Sequence, residues 1–293
     1  MKIAVFGKEF GDANIDFIRI FFNKLKKVGI RPMVFKEFHE FLTSKQIDVH
    51  DPLFFKTHID LAENADCLFS IGGDGTFLNT LGLVRDSEIP VVGINTGRLG
   101  FLSSIPKEEV ESAVDEILNG NYTIDKRSLL KLEASEEGLF GNISYALNEL
   151  TIHKQDSSSM IITHVFLNDE FLNSYWSDGL IISTPTGSTA YSLSCGGPIM
   201  TPASGNFIIN PVAPHNLNVR PVVIPDDTTI TVKVESRHER FLVSLDSRSE
   251  TIESSVELKI RKEDFKLSLI RLNNQDFLTT LRNKLMWGLD KRN

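Results

Sequence analysis

Cysteine is nearly absent from this 293-residue chain: only Cys67 and Cys195 occur. Neither belongs to a CxxC pair, which argues against a zinc site or a redox motif. Two distant thiols fit a reducing compartment better than a disulfide scaffold. No apolar run approaches the roughly 20 residues a membrane-spanning helix needs. The opening stretch, Met1-Lys2-Ile3-Ala4-Val5-Phe6-Gly7, is too short an apolar run for a signal peptide. The expectation is a cytoplasmic protein with no membrane association. Basic charge is in deficit, with 31 Lys and Arg against 39 Asp and Glu and a net charge of -8. A general nucleic-acid binder needs Lys and Arg to neutralise phosphates, so that class is set aside. A small anionic ligand is not, because a few backbone N–H groups hold phosphate without net positive charge. The common phosphate motifs are missing as well. No GxxxxGK[ST] occurs, and the one GxG, from Gly73 to Gly75, has Leu78 where GxGxxG requires its third glycine. There is no HRD or DFG pair of the protein-kinase kind.

What is present is enough apolar residue for a substantial core: 41% hydrophobic against 24% charged. The length suits one large domain or two ordinary ones. The first third alternates strand and helix signals. Strands are expected at 2–6, 31–35, 66–71 and 90–95. Residues 14–28 carry Ile15, Ile18, Phe22 and Leu25 at helical spacing, and 77–84 also reads as helix. Pro106 opens a further helix with Glu108 and Glu109 in its first turn, and Asn119-Gly120 closes it. Such alternation implies a mainly parallel sheet. From about Thr123 to Leu272 the pattern becomes short alternating segments, among them 161–167, 228–234 and 265–270, with turn chemistry at Asn168-Asp169, Asp178-Gly179 and Asp226-Asp227. The expected fold is therefore an α/β N-terminal domain (1–122) followed by an all-β C-terminal domain (123–272), with helical spacing returning at 276–289.

The sharpest chemical signal is Gly72-Gly73-Asp74-Gly75-Thr76, after a buried strand and before a helix. Phosphate approaches backbone N–H groups closely only where side chains are absent. Asp74 cannot itself attract phosphate, so its carboxylate points to a Mg²⁺ contact or to a proton acceptor for a hydroxyl. The plain alternative is a turn in which Asp74 or Thr76 caps a helix. A second cluster runs Asp178-Gly179-Leu180-Ile181-Ile182-Ser183-Thr184-Pro185-Thr186-Gly187-Ser188-Thr189-Ala190-Tyr191-Ser192, and Cys195-Gly196-Gly197-Pro198 prolongs it. Its hydroxyls suit ribose and phosphate oxygens, and Tyr191 offers a flat face for a purine. Asn148-Glu149 lies in an apolar run. If both residues contact a ligand they must sit at a strand end or bulge, since strand neighbours face opposite ways. Asn95-Thr96-Gly97-Arg98-Leu99-Gly100-Phe101-Leu102 either lines a cleft or joins a strand to a helix.

Together these elements resemble the NAD kinase family, and the likeness covers most of the chain. Residues 72–76 match its GGDGT string, 95–102 its NTGxLGFL segment, 148–149 its Asn-Glu pair and 178–194 its DGLIxSTPTGSTAYSLS segment. Residues 210–223 resemble its PxxPHxLxxRPxV stretch, and 281–288 its closing helix. The resemblance implies a C-terminal helix (273–293) that packs back on the first domain, and a site between the domains. It implies Asp74 as the base on the ribose 2′-hydroxyl, with Gly75 beside the dinucleotide and Gly72, Gly73, Gly75 and Thr76 as phosphate loop. It gives Asn148, Glu149, Asp178, Thr189, Ala190, Tyr191, Ser192, Leu193, Ser194 and Ala213 to NAD. The substrates implied are NAD and ATP with Mg²⁺, without a tightly bound organic cofactor, in a homodimer or homotetramer. The metal ligands and the phosphoryl donor (ATP, another triphosphate or polyphosphate) stay open. Two positions depart from the family pattern: Trp176 replaces an Arg, and Asp246-Ser247-Arg248 replaces Asp-Gly-Gln. His215, in a Pro-His context, is expected to be structural.

Overall fold

The structure is a computed structural model that describes residues 1–97, 99–155, 159–237, 239–273 and 275–287. Arg98 of the 95–102 segment, and Gly288 and Leu289 of the expected terminal helix, lie outside the described residues. The chain forms two units, Met1–Lys126 with Leu267–Asn293, and Arg127–Lys266.

The first unit alternates as its sequence does: β1 (Ile3–Gly7), α1 (Ile15–Lys27), β2 (Met33–Phe35), α2 (Lys36–Ser44), β3 (Leu53–Phe55), α3 (His58–Asn64), β4 (Cys67–Ile71), α4 (Asp74–Asn79), α5 (Leu81–Val84), β5 (Val91–Asn95), β6 (Ile105–Pro106) and α6 (Val110–Leu118). The strands lie in the order β5-β4-β1-β2-β3, every neighbour parallel, and β6 runs parallel beside β5. β1, β4 and β5 are buried along their whole length, which is why they read as unbroken apolar runs. Phe17, Ile18, Phe21 and Leu25 of α1 and Val110, Val114 and Ile117 of α6 pack in one core with Val5, Phe69 and Val92 of these strands. Chain order reverses on either side of β1. The carboxyl ends of β1 and β4 therefore form a switch point, the usual place for a ligand in such a sheet. The helix expected at 77–84 is instead two short helices, α4 and α5, and α4 already begins at Asp74 inside the glycine string.

The second unit is antiparallel: β7 (Tyr122–Ala134, entering from the first unit), β8 (Tyr145–Ala146), β9 (Glu149–Lys154), β10 (Ile161–Leu167), β11 (Glu170–Ser177), β12 (Gly179–Ser183), the short α7 (Tyr191–Ser194), β13 (Asn206–Val212), β14 (Val222–Pro225), β15 (Ile230–Glu235), β16 (Arg240–Leu245), β17 (Arg248–Glu253) and β18 (Leu258–Leu272). One sheet runs β14-β13-β12-β9-β16-β17, and β11-β10-β15-β18 pair in another. Alternate residues of both enter one core, including Leu150, Ile152, Leu180 and Phe207 with Val165, Tyr175 and Val232. The fold is thus an α/β N-terminal domain with a mainly parallel sheet and an antiparallel β C-terminal domain.

In the first unit, Leu269 of β18 lies parallel beside Val91 of β5. The helix that follows, α8 (Phe277–Leu285), is capped by the Asp276 carboxylate, which accepts the Thr279 N–H at 2.8 Å. Phe277 meets Phe101 with ring centroids 6.5 Å apart, Lys284 lies over the Phe101 ring, and Leu281 is buried. Leu285, Met286 and Trp287 do not continue this buried face. Met286 takes a left-handed conformation (φ 58°) and ends the helix, so Met286 and Trp287 leave the face that Leu281 buries and stand exposed.

Candidate active site

In the first unit, β4 delivers the glycine string to the carboxyl edge of the sheet. The Gly72 N–H donates to the Ile94 carbonyl at 2.9 Å. A Cβ at Gly72 would overlap the Thr76 side chain, whereas one at Gly73 or Gly75 would meet no protein atom within 4 Å. Gly72 is bare for the fold. Gly73 and Gly75 leave their backbone open to something outside it.

Asp74, half-buried at the start of α4, is clasped by the loop that follows β5. Its Oδ2 accepts the Phe101 N–H at 2.9 Å, and its Oδ1 accepts those of Leu102 at 3.1 Å and Ser103 at 2.8 Å. A Cβ at Gly100 would overlap this carboxylate, and one at Gly93 would come within 2.6 Å of the Ser103 Cα. The 95–102 segment therefore does more than join a strand to a helix: it fixes the Asp74 side chain. A carboxylate offers about four lone-pair positions, and three are taken, so acceptor capacity remains.

The second unit gathers most of the remaining candidates. Asn148 and Glu149 stand at the start of β9, a strand end. The Tyr191 backbone N–H lies near the Glu149 carboxyl and favours its ionised form. Tyr191 stacks one face on His153, with ring centroids 5.7 Å apart and planes at 23°. His153 pairs across the sheet with Gly179, next to Asp178. The Asp178 N–H donates to the Val212 carbonyl at 3.0 Å, next to Ala213, which holds φ 45°. The Asn210 amide donates to the Ser192 carbonyl at 3.0 Å and to its Oγ at 3.2 Å. Thr189 ends a 3₁₀ turn, and Ala190 leads into α7, which carries Leu193 and Ser194. Two neighbours escaped the sequence reading. Lys154 pairs with the Asp178 carboxylate at 2.5 Å, and His153 backs Tyr191. Both close β9, four and five residues after Glu149, and carry no motif of their own. At the departures, the Arg248 guanidinium donates to the Ile143 and Tyr145 carbonyls, and Trp176 is half exposed. The His215 N–H donates to the Trp176 carbonyl at 2.8 Å.

Burial, helped by the nearby Asp246 charge, pushes the Glu149 carboxyl up to about 8. Burial also pushes Asp246 upward, but three backbone N–H groups and the Arg248 charge favour its ionised form. Glu149 Oε2 is buried without a partner, so the proton belongs on Glu149. An unfolded Glu ionises near about 4.3. The native state therefore binds the extra proton between there and about 8, and its stabilisation is lost as pH rises through that window. Glu149→Gln, a stand-in for the neutral form, should gain in Tm relative to the parent from pH 5 to pH 8.5. A constant difference across that range would refute the assignment.

Comparison with known proteins gives this geometry its family. Residues 39–122 match the ATP-NAD kinase N-terminal domain and residues 147–272 the ATP-NAD kinase C-terminal domain. An NAD kinase of Cytophaga hutchinsonii is 48% identical over 100% of both chains, and one of Bacteroides fragilis is 47% identical over 100% of both. The chain belongs to the NAD kinase family. Two solved structures share the fold. Yeast NADH kinase complexed with NADH superposes with a TM-score of 0.85 at 23% identity, covering 98% of this chain and 88% of that one. An Archaeoglobus fulgidus NAD kinase in complex with ATP gives 0.76 at 24%, covering 98% and 99%. The reaction is accordingly phosphorylation of NAD to NADP. Among the described residues no helix is long and apolar enough to cross a membrane.

Proposed function

We propose that Asp74 is the general base of this NAD kinase. It accepts the proton of the adenosine ribose 2′-hydroxyl as that oxygen attacks the γ-phosphorus of ATP. The O–P bond to the ribose forms as the bond to the β-phosphate oxygen breaks, and ADP leaves. The observation that carries this reading is the fixed, half-buried carboxylate between two glycines with nothing over them. The clasp by residues 101–103 prevents the side chain from swinging away, the pre-organisation that positioning chemistry requires. Gly73 and Gly75 give phosphates access to backbone N–H groups, with Gly72 and Thr76 holding the loop's shape.

Asn148, Glu149, Asp178, Thr189, Ala190, Tyr191, Ser192, Leu193, Ser194 and Ala213 are assigned to the dinucleotide. The open face of Tyr191, opposite His153, suits a base. A neutral Glu149 can donate a hydrogen bond to a ligand oxygen without repelling a pyrophosphate. Among the described residues no group of three or more His, Cys, Asp or Glu could hold a metal. This fits a cation carried chiefly by the donor's phosphates, as Mg²⁺ commonly is, with Asp74 the nearby carboxylate. When bound, Mg²⁺ neutralises charge on those phosphates.

We assign ATP as the donor, the cytoplasm as the location and a homodimer or homotetramer as the assembly. Light scattering at working concentration reads the assembly directly, and a monomer would reject it. The half-exposed Trp176 and Met160 are apolar surface that a second copy could cover. Selectivity tests the site. Remote binding energy positions the reacting hydroxyl, so kcat/KM for NAD should exceed that for AMP by on the order of 10²-fold or more. Comparable turnover of AMP would remove the second unit's residues from the substrate site.

A further inference from the structure

The peptide that carries Asn148 and Glu149 is gripped from two sides by residues that no part of the foregoing reaction uses. Asp246 stands at the tip of the β16–β17 hairpin with φ 53°, a conformation Asn and Asp tolerate better than most side chains. A turn aspartate ordinarily bonds its own turn. This one reaches 97 to 99 residues back along the chain. Its Oδ2 accepts the Leu147 N–H at 2.9 Å, and its Oδ1 accepts those of Asn148 at 2.8 Å and Glu149 at 3.3 Å. Its own N–H donates to the Glu149 carbonyl at 3.0 Å. On the other side, the Thr184 hydroxyl donates to the Leu147 carbonyl at 2.5 Å, and its N–H donates to the Asn148 carbonyl at 2.8 Å. All six main-chain polar groups of residues 147–149 are thus satisfied by two residues. A Cβ on Gly187 would overlap the Asn148 carbonyl, so the packing is tight there as well.

Two features separate this from ordinary strand closure. The three N–H groups converge on one charged acceptor, and charge-assisted bonds are roughly twice as strong as neutral ones. Leu147 and Asn148 lie at the break between β8 and β9, outside both strands. Resting on the assignment of Asn148 and Glu149 to the dinucleotide, we propose that Asp246 and Thr184 are positioning residues for NAD. They form a two-jawed clamp that sets the backbone from which the Asn148 and Glu149 side chains meet the nucleotide. The Arg248 guanidinium extends the clamp upstream through the Ile143 and Tyr145 carbonyls.

The test is a set of kinetic cycles on the full-length enzyme. Asp246→Asn suits the left-handed backbone but removes the charge and sets an amide N–H against a backbone N–H. It should raise KM for NAD about tenfold, since displacement of a positioning group by about 1 Å can cost up to 10²-fold. KM for ATP should stay within twofold. Asn148→Ala should raise KM for NAD on its own. Combining it with Asp246→Asn should raise KM no further than the larger single effect, because coupled residues are non-additive. Thr184→Val removes only the hydroxyl and keeps the shape. It serves as the second jaw, with a smaller rise in KM and the same non-additivity, and decides the matter should Asp246→Asn not fold. Additive effects, or equal rises in KM for both substrates, would overturn the clamp and leave Asp246 and Thr184 as structural residues. An inert Asn148→Ala would instead overturn the assignment of Asn148 to NAD, and the clamp's role with it.

Discussion

Asp74→Asn is expected to lower turnover by about 10²- to 10⁴-fold, the typical loss when a general base is removed. From sequence alone the substitution looks conservative, since the amide keeps size and polarity. The structure makes it less so. Both carboxylate oxygens accept backbone N–H groups from residues 101–103. An amide presents N–H where one oxygen was, leaving at least one of these donors facing another donor. The cost is about 1–3 kcal/mol if that group stays buried and unpaired. The variant should therefore melt a few degrees lower as well as turn over slowly. Assays well below its Tm separate the two effects: the folded variant stays slow if Asp74 is the base. A role confined to holding Mg²⁺ predicts strong recovery at raised Mg²⁺ together with weakened ATP binding. Turnover near that of the parent would remove both roles and leave Asp74 as the latch of the 101–103 loop.

Truncation before Asp276 should lower stability by about 2–4.5 kcal/mol. That sum combines burial of one Leu side chain, worth about 1.5–3 kcal/mol, with an aromatic pair worth about 0.5–1.5 kcal/mol. The residues lost are Leu281, buried in the first unit, and Phe277, seated against Phe101. At a few degrees per kcal/mol for a chain of this size, Tm should fall by roughly 5–10 °C. Activity should fall further than stability explains, because Phe101 supplies one of the N–H groups that hold Asp74. Gln275, which would remain, also ties this loop to the helix start through Ser104, at 3.0 and 3.1 Å. Calorimetry and turnover on the same preparation check both parts. An unchanged Tm would count against docking of α8.

Much of this was legible in the sequence, for identifiable reasons. β1, β4 and β5 are short runs of Ile, Val and Phe bounded by Gly or Asn, and a fully buried parallel strand leaves that trace. Helix α1 shows its core face at Ile18, Phe22 and Leu25. The segment 161–167 alternates cleanly because one side enters the core and the other does not. By contrast β3 is three residues long with Leu53 and Phe54 exposed, so no period could announce it. The capping box of Thr57 and Asp60 was the available sign of α3. The glycine string and the hydroxyl-rich segment stood out as local runs. The clasp on Asp74 and the grip of Asp246 did not, because each links residues 27 to 99 positions apart through backbone N–H groups. Backbone donors are identical at every non-proline position, so spacing carries no trace of which carboxylate they meet. The helical spacing expected over 276–289 overran the helix for a related reason: apolar composition near a helix end does not say whether the helix continues, and a left-handed Met286 stops it.

Phosphorylation of NAD by this chain, with Asp74 as base, is read in a single assay. The purified protein and its Asp74→Asn variant are incubated with NAD, ATP and Mg²⁺, and NADP is detected with an NADP-specific dehydrogenase. The parent should yield NADP, and the folded variant an initial rate about 10²- to 10⁴-fold lower. Absence of NADP from the parent, or equal rates from the two proteins, would contradict this assignment.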